Sequence, residues 1–219
     1  WLRIDLSTRR IEVHDTDRAI AEGYLGGNGW GARMLWENVA RDVDPLDPGN
    51  LLMISTGPMC GTLLPNSGRV EVIAKSPLTG IYGDANAGGF FGPELKFAGW
   101  DAVMVVGRSD RPVILAIDGD TVALQDATGL WGRTTSETES EIRQAWRDPR
   151  VKVASIGPAG ENLVRFASIQ MTPQRSAGRC GLGAVMGSKH LKAVAVRGYG
   201  SVSIADPERF HSVAVEMHH

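Results

Sequence analysis

Three arginines stand beside glycine-rich backbone in this chain. In "RSAGRCGLGAVMGSKHLKAVAVRG", residues 175–198, Arg175 and Arg179 flank Gly178, and Gly181, Gly183 and Gly187 follow. Arg69 precedes a second glycine group, "NAGGFFG", residues 86–92. Glycine turns that lead into helix N-termini let backbone N–H groups approach an anion closely, and the helix dipole adds favourable potential there. Guanidinium forks bind phosphate or carboxylate oxygens in pairs. Together these residue types are suited to gripping a ligand by its phosphates.

Other chemistries are excluded by what is missing around the same motifs. "GLGAVMG", residues 181–187, is preceded by a loop rather than a strand and has no acidic residue at the ribose-binding distance, so it is not a dinucleotide fingerprint. "GPAGEN" lacks the Lys-Ser/Thr of a P-loop, and no G-x-S-x-G elbow or HExxH is present. The two cysteines, Cys60 and Cys180, form no CxxC pair, so neither a disulfide framework nor a zinc or iron–sulfur site can be built from this chain alone. Cys180 is expected to be a packed thiol, and His14 and His190 to be exposed. Lys189 and Lys192 are expected on the solvated face of a helix, and Glu161 and Asn162 in a turn.

Positioning these groups falls to a chain of 219 residues, 42% hydrophobic, long enough to bury a core as one large domain or two small ones. A net charge of −2 gives no basic field for a nucleic acid. No apolar run of about 18 residues and no leader is visible, so no membrane partner is expected and a cytoplasmic location is. Glycine reaches 27 residues but is clustered, with six tryptophans and regular apolar runs between the clusters, which points to folded loops. "WLRIDLSTRRIEVHD" and "PVILAIDGDTVALQD" read as hairpins, and "LLMISTGP", "RVEVIAK", "DAVMVVG" and "VKVASIGP" as strands. "GGFFGPELKFAG" reads as a helix closed by Gly99, and "SETESEIRQAWRD" as a helix with Ser136 and Glu139 spaced as a capping box. Strands outnumber helices and often follow one another, which favours an α+β class with mixed sheets and short helices.

The order of these blocks repeats. "NAGGFFGPELKFAGWDAVMVVG", residues 86–107, matches "SAGRCGLGAVMGSKHLKAVAVRG", residues 176–198, and upstream "LLMISTGP" matches "VKVASIGP", with Pro58 and Pro158 aligned 100 residues apart. Each upstream block is followed by an arginine, Arg69 or Arg165. This is an internal duplication, for which pseudo-twofold symmetry is expected. A site on that axis would receive one glycine loop from each half and would suit a ligand with two similar ends. The residues alone leave open a stand-alone module that binds a phosphate ligand.

Taken in order, "LGGNGWGARMLWE", "VDPLDPGNLLMISTGPMCGT", "KSPLTG", "NAGGFFGPELKFAGWDA", "LWGRTTSETE", "IGPAGENLVRFASI" and the closing glycine-rich block resemble the N-terminal domain of tungsten-containing aldehyde:ferredoxin oxidoreductases. The resemblance covers residues 1–200, and residues 201–219 would begin the following segment or form an added tail. It implies a base of two β-sheets seating a tungsten bis-pyranopterin cofactor, with molybdenum as the alternative metal, and a magnesium ion bridging the two cofactor phosphates. Asn86 and Ser176 match the positions whose backbone carbonyls hold that magnesium. Gly88, Arg175, Gly178 and Arg179 match pterin- or phosphate-contacting positions, and Arg69 an arginine lying between pterin and iron–sulfur cluster. Ser176 stands where relatives often have alanine, and Cys180 where they often have glycine. The implied reaction is oxidation of a small aldehyde to a carboxylic acid. Electrons leave through a [4Fe-4S] cluster, held by later domains, to ferredoxin or another acceptor. Those domains and a second copy of the protein are the other implied partners. A relative acting on an acyl-CoA or aromatic substrate is the alternative within the family.

Overall fold

The computed structural model describes residues 1–172 and 175–217. Six strands come from each half of the molecule. The first six are β1 (Leu2–Asp5), β2 (Arg10–Val13), β3 (Leu52–Thr56), β4 (Val70–Lys75), β5 (Tyr82–Ala87) and β6 (Ala102–Val106). The second six are β7 (Val113–Asp118), β8 (Thr121–Asp126), β9 (Lys152–Ser155), β10 (Ile169–Thr172), β11 (Arg175–Ala177) and β12 (Leu191–Arg197). One sheet runs β2-β1-β6-β3-β4-β5 and the other β8-β7-β12-β9-β10-β11. Adding six to each strand number converts the first order into the second. The one parallel pair in each sheet also corresponds, β1 with β6 and β7 with β12. The duplication read from the repeat is therefore a duplication of topology, and the fold is α+β with two mixed sheets.

Burial explains which segments became central strands. Every residue of β3 and of β12 is buried, as expected of strands covered on both faces, which read as continuous rather than alternating apolar runs. One core lies between the sheets and joins Leu52, Ile54 and Val103 of the first to Leu115, Ala154 and Val194 of the second. The outer face of the first sheet is covered by α2 (Gly27–Asn38) through Trp30 and Met34, with α1 (Arg18–Tyr24) packed beside it. That of the second is covered by α4 (Thr135–Trp146) through Ile142. Two helices fill the space between the sheets. These are α3 (Phe91–Phe97), which packs on β9 and β12, and α6 (Leu182–Ser188), which packs on β3, β4 and β5 and against the single turn of α5 (Pro158–Glu161). Each helix thus bridges the two sheets, since α3 also touches β3 of its own half and α6 also touches β12 of its own. The last helix is α7 (Pro207–Glu216). Among the described residues no helix is long and apolar enough to cross a membrane.

Local signals mostly hold, with four corrections. Gly99 (φ +93°) ends α3 as expected, and Gly119 (φ +58°) turns the β7–β8 hairpin. The capping box of α4, however, is Thr134 with Glu137, two residues before Ser136 and Glu139. Both pairs have the same spacing, but Glu139 is buried against Arg143 and so lies inside the helix. Lys189 and Lys192 are fully buried rather than solvated, because the helix stops at Ser188 and β12 is covered on both faces. The Lys189 ammonium donates to the carbonyls of Asn50 (2.5 Å) and Gly107 (3.1 Å), and Lys192 to those of Arg133 and Ile156 while pairing with Glu161. His190 is half-buried, with Nδ1 2.7 Å from the Ser109 carbonyl, whereas His14 is exposed. Asn162 does serve a turn, donating to the Pro158 carbonyl, whereas the Glu161 carboxylate departs from that expectation, pairing with Lys192 and accepting from the Gly132 amide.

Candidate cofactor-binding site

The last strands of the two sheets, β5 and β11, lie beside each other, and this brings Asn86 and Ser176 into one region. Register fixes their correspondence. Ala87 pairs with Val70 and Asn86 with Glu71 in the first sheet, while Ala177 pairs with Ile169 and Ser176 with Gln170 in the second. Ala87 and Ala177 turn into the core, so the alternation of a strand sends Asn86 and Ser176 outward, and both are exposed. Because β5 and β11 each end a sheet, one side of each strand keeps backbone groups that the sheet does not pair. Backbone carbonyls on such edges are hard oxygen ligands of the kind magnesium takes.

The second-half loop docks against the first half. The Cys180 carbonyl accepts from Ser76 Oγ at 2.7 Å, and its thiol lies 3.4 Å from the Asp84 carbonyl. Cys180 has φ +62°, a conformation that glycine adopts more easily. The neighbouring glycines serve packing rather than ligand approach, which corrects the expectation for most of this motif. A Cβ on Gly181 would overlap the Arg165 carbonyl, one on Gly183 would meet the Ser168 oxygen at 2.5 Å, and one on Gly187 would overlap the Gly160 carbonyl. Gly88 and Gly178 differ. A Cβ on Gly88 would meet nothing within 4 Å, and one on Gly178 only Ser176 Cβ at 3.7 Å. These two positions leave open space above bare backbone.

Around them Arg69, Arg175 and Arg179 are all exposed, and none forms an ion pair among the described residues. The repeat paired Arg69 with Arg165, but the register puts Ser168 where Arg69 would fall, one residue before the Ile169 that matches Val70. Only the first half supplies this arginine.

Sequence reasoning missed what lies beneath. A cavity of about 340 Å³ opens next to Asn86 and is lined by Gly26, Gly27, Asn28, Ser55, Arg69 and Glu71, among others. Arg69 donates to Asn86 Oδ1, and Asn86 Nδ2 donates to Glu71 Oε1. Glu71 Oε2 and Ser55 Oγ are buried and have no partner among the described residues. Burial pushes the Glu71 carboxyl up and Asp84 adds to this, against the opposing Asn86 hydrogen bond and Arg69 charge. Asn28 links the N-terminus of α2 to β5, donating to Asp84 at 2.6 Å and accepting from the Tyr82 hydroxyl at 2.7 Å. Gly26 must be glycine there, since at φ +142° its Cβ would sit 2.7 Å from the Thr56 carbonyl. The available signal was Ser55, which stands three residues before Pro58 as Ser155 does before Pro158.

The family model described as the N-terminal domain of aldehyde ferredoxin oxidoreductase matches residues 1–198. The chain belongs to that family. It is 48% identical over 216 residues to the tungsten-containing aldehyde ferredoxin oxidoreductase of Pyrococcus furiosus, a match covering 99% of this chain and 36% of the relative. The aliphatic sulfonate oxidoreductase WOR-like subunit of the same organism is 36% identical over 225 residues, covering 95% of this chain and 36% of its own. Among solved structures, the active site complex BamBC of benzoyl coenzyme A reductase, in complex with 1,5-dienoyl-CoA, superposes with a TM-score of 0.96 at 42% identity, covering 98% of this chain and 33% of that one. The protein described here thus spans about a third of the length of these aldehyde ferredoxin oxidoreductase relatives.

The residues fit the cofactor that the tungsten-containing relatives imply. Open glycine positions at Gly88 and Gly178, guanidinium groups without ion pairs at Arg69, Arg175 and Arg179, and two orphaned buried polar atoms over a cavity all suit a polar ligand with anionic ends. Among the described residues no group of three or more His, Cys, Asp or Glu could hold a metal ion.

Proposed function

We propose that this chain is the cofactor seat of an oxidoreductase that converts aldehydes to carboxylic acids and delivers the electrons to ferredoxin, and that alone it is inactive. The observation that carries this reading is the meeting of β5 and β11, which presents Asn86 and Ser176 from two duplicated halves at one place. A tungsten bis-pyranopterin centre, or its molybdenum counterpart, supplies the two-electron oxidation of the aldehyde by water, with release of protons and single electrons. Everything this chain does is to bind and orient. Arg175 and Arg179 hold phosphate oxygens, and Gly88 and Gly178 let the ligand reach the backbone. The carbonyls of Asn86 and Ser176 hold magnesium, and Arg69 lies over the cavity side as a donor. Residues 1–200 form the seat, and residues 201–219, with α7, begin the next segment of the protein. The [4Fe-4S] cluster is assigned to cysteines outside this chain.

The test uses the full-length protein, assayed for tungsten, pterin and aldehyde-dependent reduction of ferredoxin. Both cofactor and activity are expected. The double variant Arg175→Ala/Arg179→Ala is expected to retain the fold and lose most of its bound cofactor, more so at high salt, where the remaining cationic attraction is screened. An intact protein with neither tungsten nor pterin would overturn the reading. The likeness to the benzoyl coenzyme A reductase complex favours a second reading, in which the same seat serves an aromatic acyl-CoA substrate. Dienoyl-CoA-dependent turnover without aldehyde turnover would select it.

A further inference from the structure

Each sheet carries one transverse row of polar residues at the same place. In the first, Ser55 of β3 lies opposite Glu71 of β4, and Glu71 opposite Asn86 of β5. In the second, Ser155 of β9 lies opposite Gln170 of β10, and Gln170 opposite Ser176 of β11. Each row ends at the residue assigned to the magnesium, and the inner neighbour receives a side-chain hydrogen bond from it. Asn86 Nδ2 donates to Glu71 Oε1, and Ser176 Oγ donates to Gln170 Oε1. The outer residues differ in size and chemistry, yet each meets an Oε1 acceptor carried on a stem of the same length.

We propose that Glu71 and Gln170 are twin positioning residues that hold Asn86 and Ser176, and with them the two backbone carbonyls assigned to the magnesium, a role that rests on the cofactor reading above. Charge is not required, because an amide performs the task in the second half. What is required is an acceptor oxygen at that reach. The first half carries the bond one step further, since Asn86 also accepts from Arg69, while Ser168 takes the arginine's place in the second. Loss of the acceptor in the first half therefore releases two groups, Asn86 and Arg69, and in the second half only Ser176. The effect of Glu71→Ala is then expected to exceed that of Gln170→Ala.

The experiment compares full-length wild type with Glu71→Gln, Glu71→Ala and Gln170→Ala, reading the rate at which tungsten and pterin are lost from the folded protein during dialysis. Glu71→Gln is expected to behave as wild type. Gln170→Ala is expected to release cofactor roughly three- to tenfold faster, the range carried by one neutral hydrogen bond, and Glu71→Ala faster still. Circular dichroism shows whether each variant is folded, and both glutamate variants must be for the comparison. Release from Glu71→Gln as fast as from Glu71→Ala overturns the proposal, because charge would then be the requirement. Wild-type release from either alanine variant also overturns it. If wild type carries no tungsten, the cofactor reading fails, and crystal structures decide the positioning separately. Asn86 should keep its place in Glu71→Gln and leave it in Glu71→Ala, and an unmoved Asn86 in the latter ends the claim.

Discussion

Lys189 shows what a buried cation costs and what it holds. Its ammonium points at three carbonyl oxygens, those of Pro48, Asn50 and Gly107, and hydrogen-bonds no side chain among the described residues. Burial pushes its amine down to about 7, Arg108 pushes in the same direction, and the nearby carboxylates Asp47 and Asp5 oppose them. An unfolded lysine titrates at about 10.4. Between these values the unfolded state binds more protons than the folded one, so stability rises as pH rises from about 7 to about 10.4. Denaturant unfolding of wild type and Lys189→Met at several pH values should show this slope in wild type and lose it in the variant. A flat wild-type profile would mean that the three carbonyls keep the ammonium charged. The thiol of Cys60, pushed up to about 11 mainly by burial, works in the opposite direction above about 8.5, where an unfolded thiol ionises and the folded one stays protonated, so the difference between wild type and Lys189→Met is what reports the lysine.

At the scale of elements, the glycines divide into two kinds that sequence could not separate. Gly187→Ala would drive a methyl group into the Gly160 carbonyl of α5, which packs against α6. Overpacking of this sort is expected to cost about 1–3 kcal/mol in urea unfolding. Gly178→Ala meets open space, so its stability should stay within about 0.5 kcal/mol of wild type while cofactor retention falls. The strands, the hairpins, α3 and the repeat were legible because apolar periodicity and turn residues are local signals. The burial of Lys189 and Lys192 was not, since the sheets that cover them are formed by residues distant in sequence. For the same reason Arg69 was paired with Arg165. Counting along the sequence cannot show which residue lies opposite which, and only the strand register placed Ser168 there. Of the candidate site, the repeat aligned Asn86 with Ser176 and the family resemblance gave them a role, whereas Ser55, Glu71 and Gln170 join them only across strands.

At the scale of the molecule, the proposed seat needs both halves held in fixed relation, and α3 and α6 contribute to this by packing between the two sheets in the shared core. One buried ion pair adds to it. Arg197 at the end of β12 donates to Glu94 of α3 at 2.6 Å, and the Gly198 amide donates to the same carboxylate oxygen at 2.9 Å. Arg197 also reaches Asp148 at 2.9 Å and lies over the Tyr199 ring, so it has other partners when Glu94 is lost. Glu94 keeps only the amide when Arg197 is lost. Arg197→Met is therefore expected to destabilise by about 1.5–3 kcal/mol, as for hydrogen bonds to charged groups. Glu94→Leu in the same background should cost less than it does in wild type, because no buried carboxylate is then left without its cation. A double-mutant cycle by urea unfolding should give a coupling of about 0.5–3 kcal/mol, and strict additivity of the two losses would show that this pair does not tie the halves together. Since Asn86 and Ser176 belong to different halves, the Arg197→Met protein should also release cofactor faster, although Arg197 lies on no strand that carries either residue.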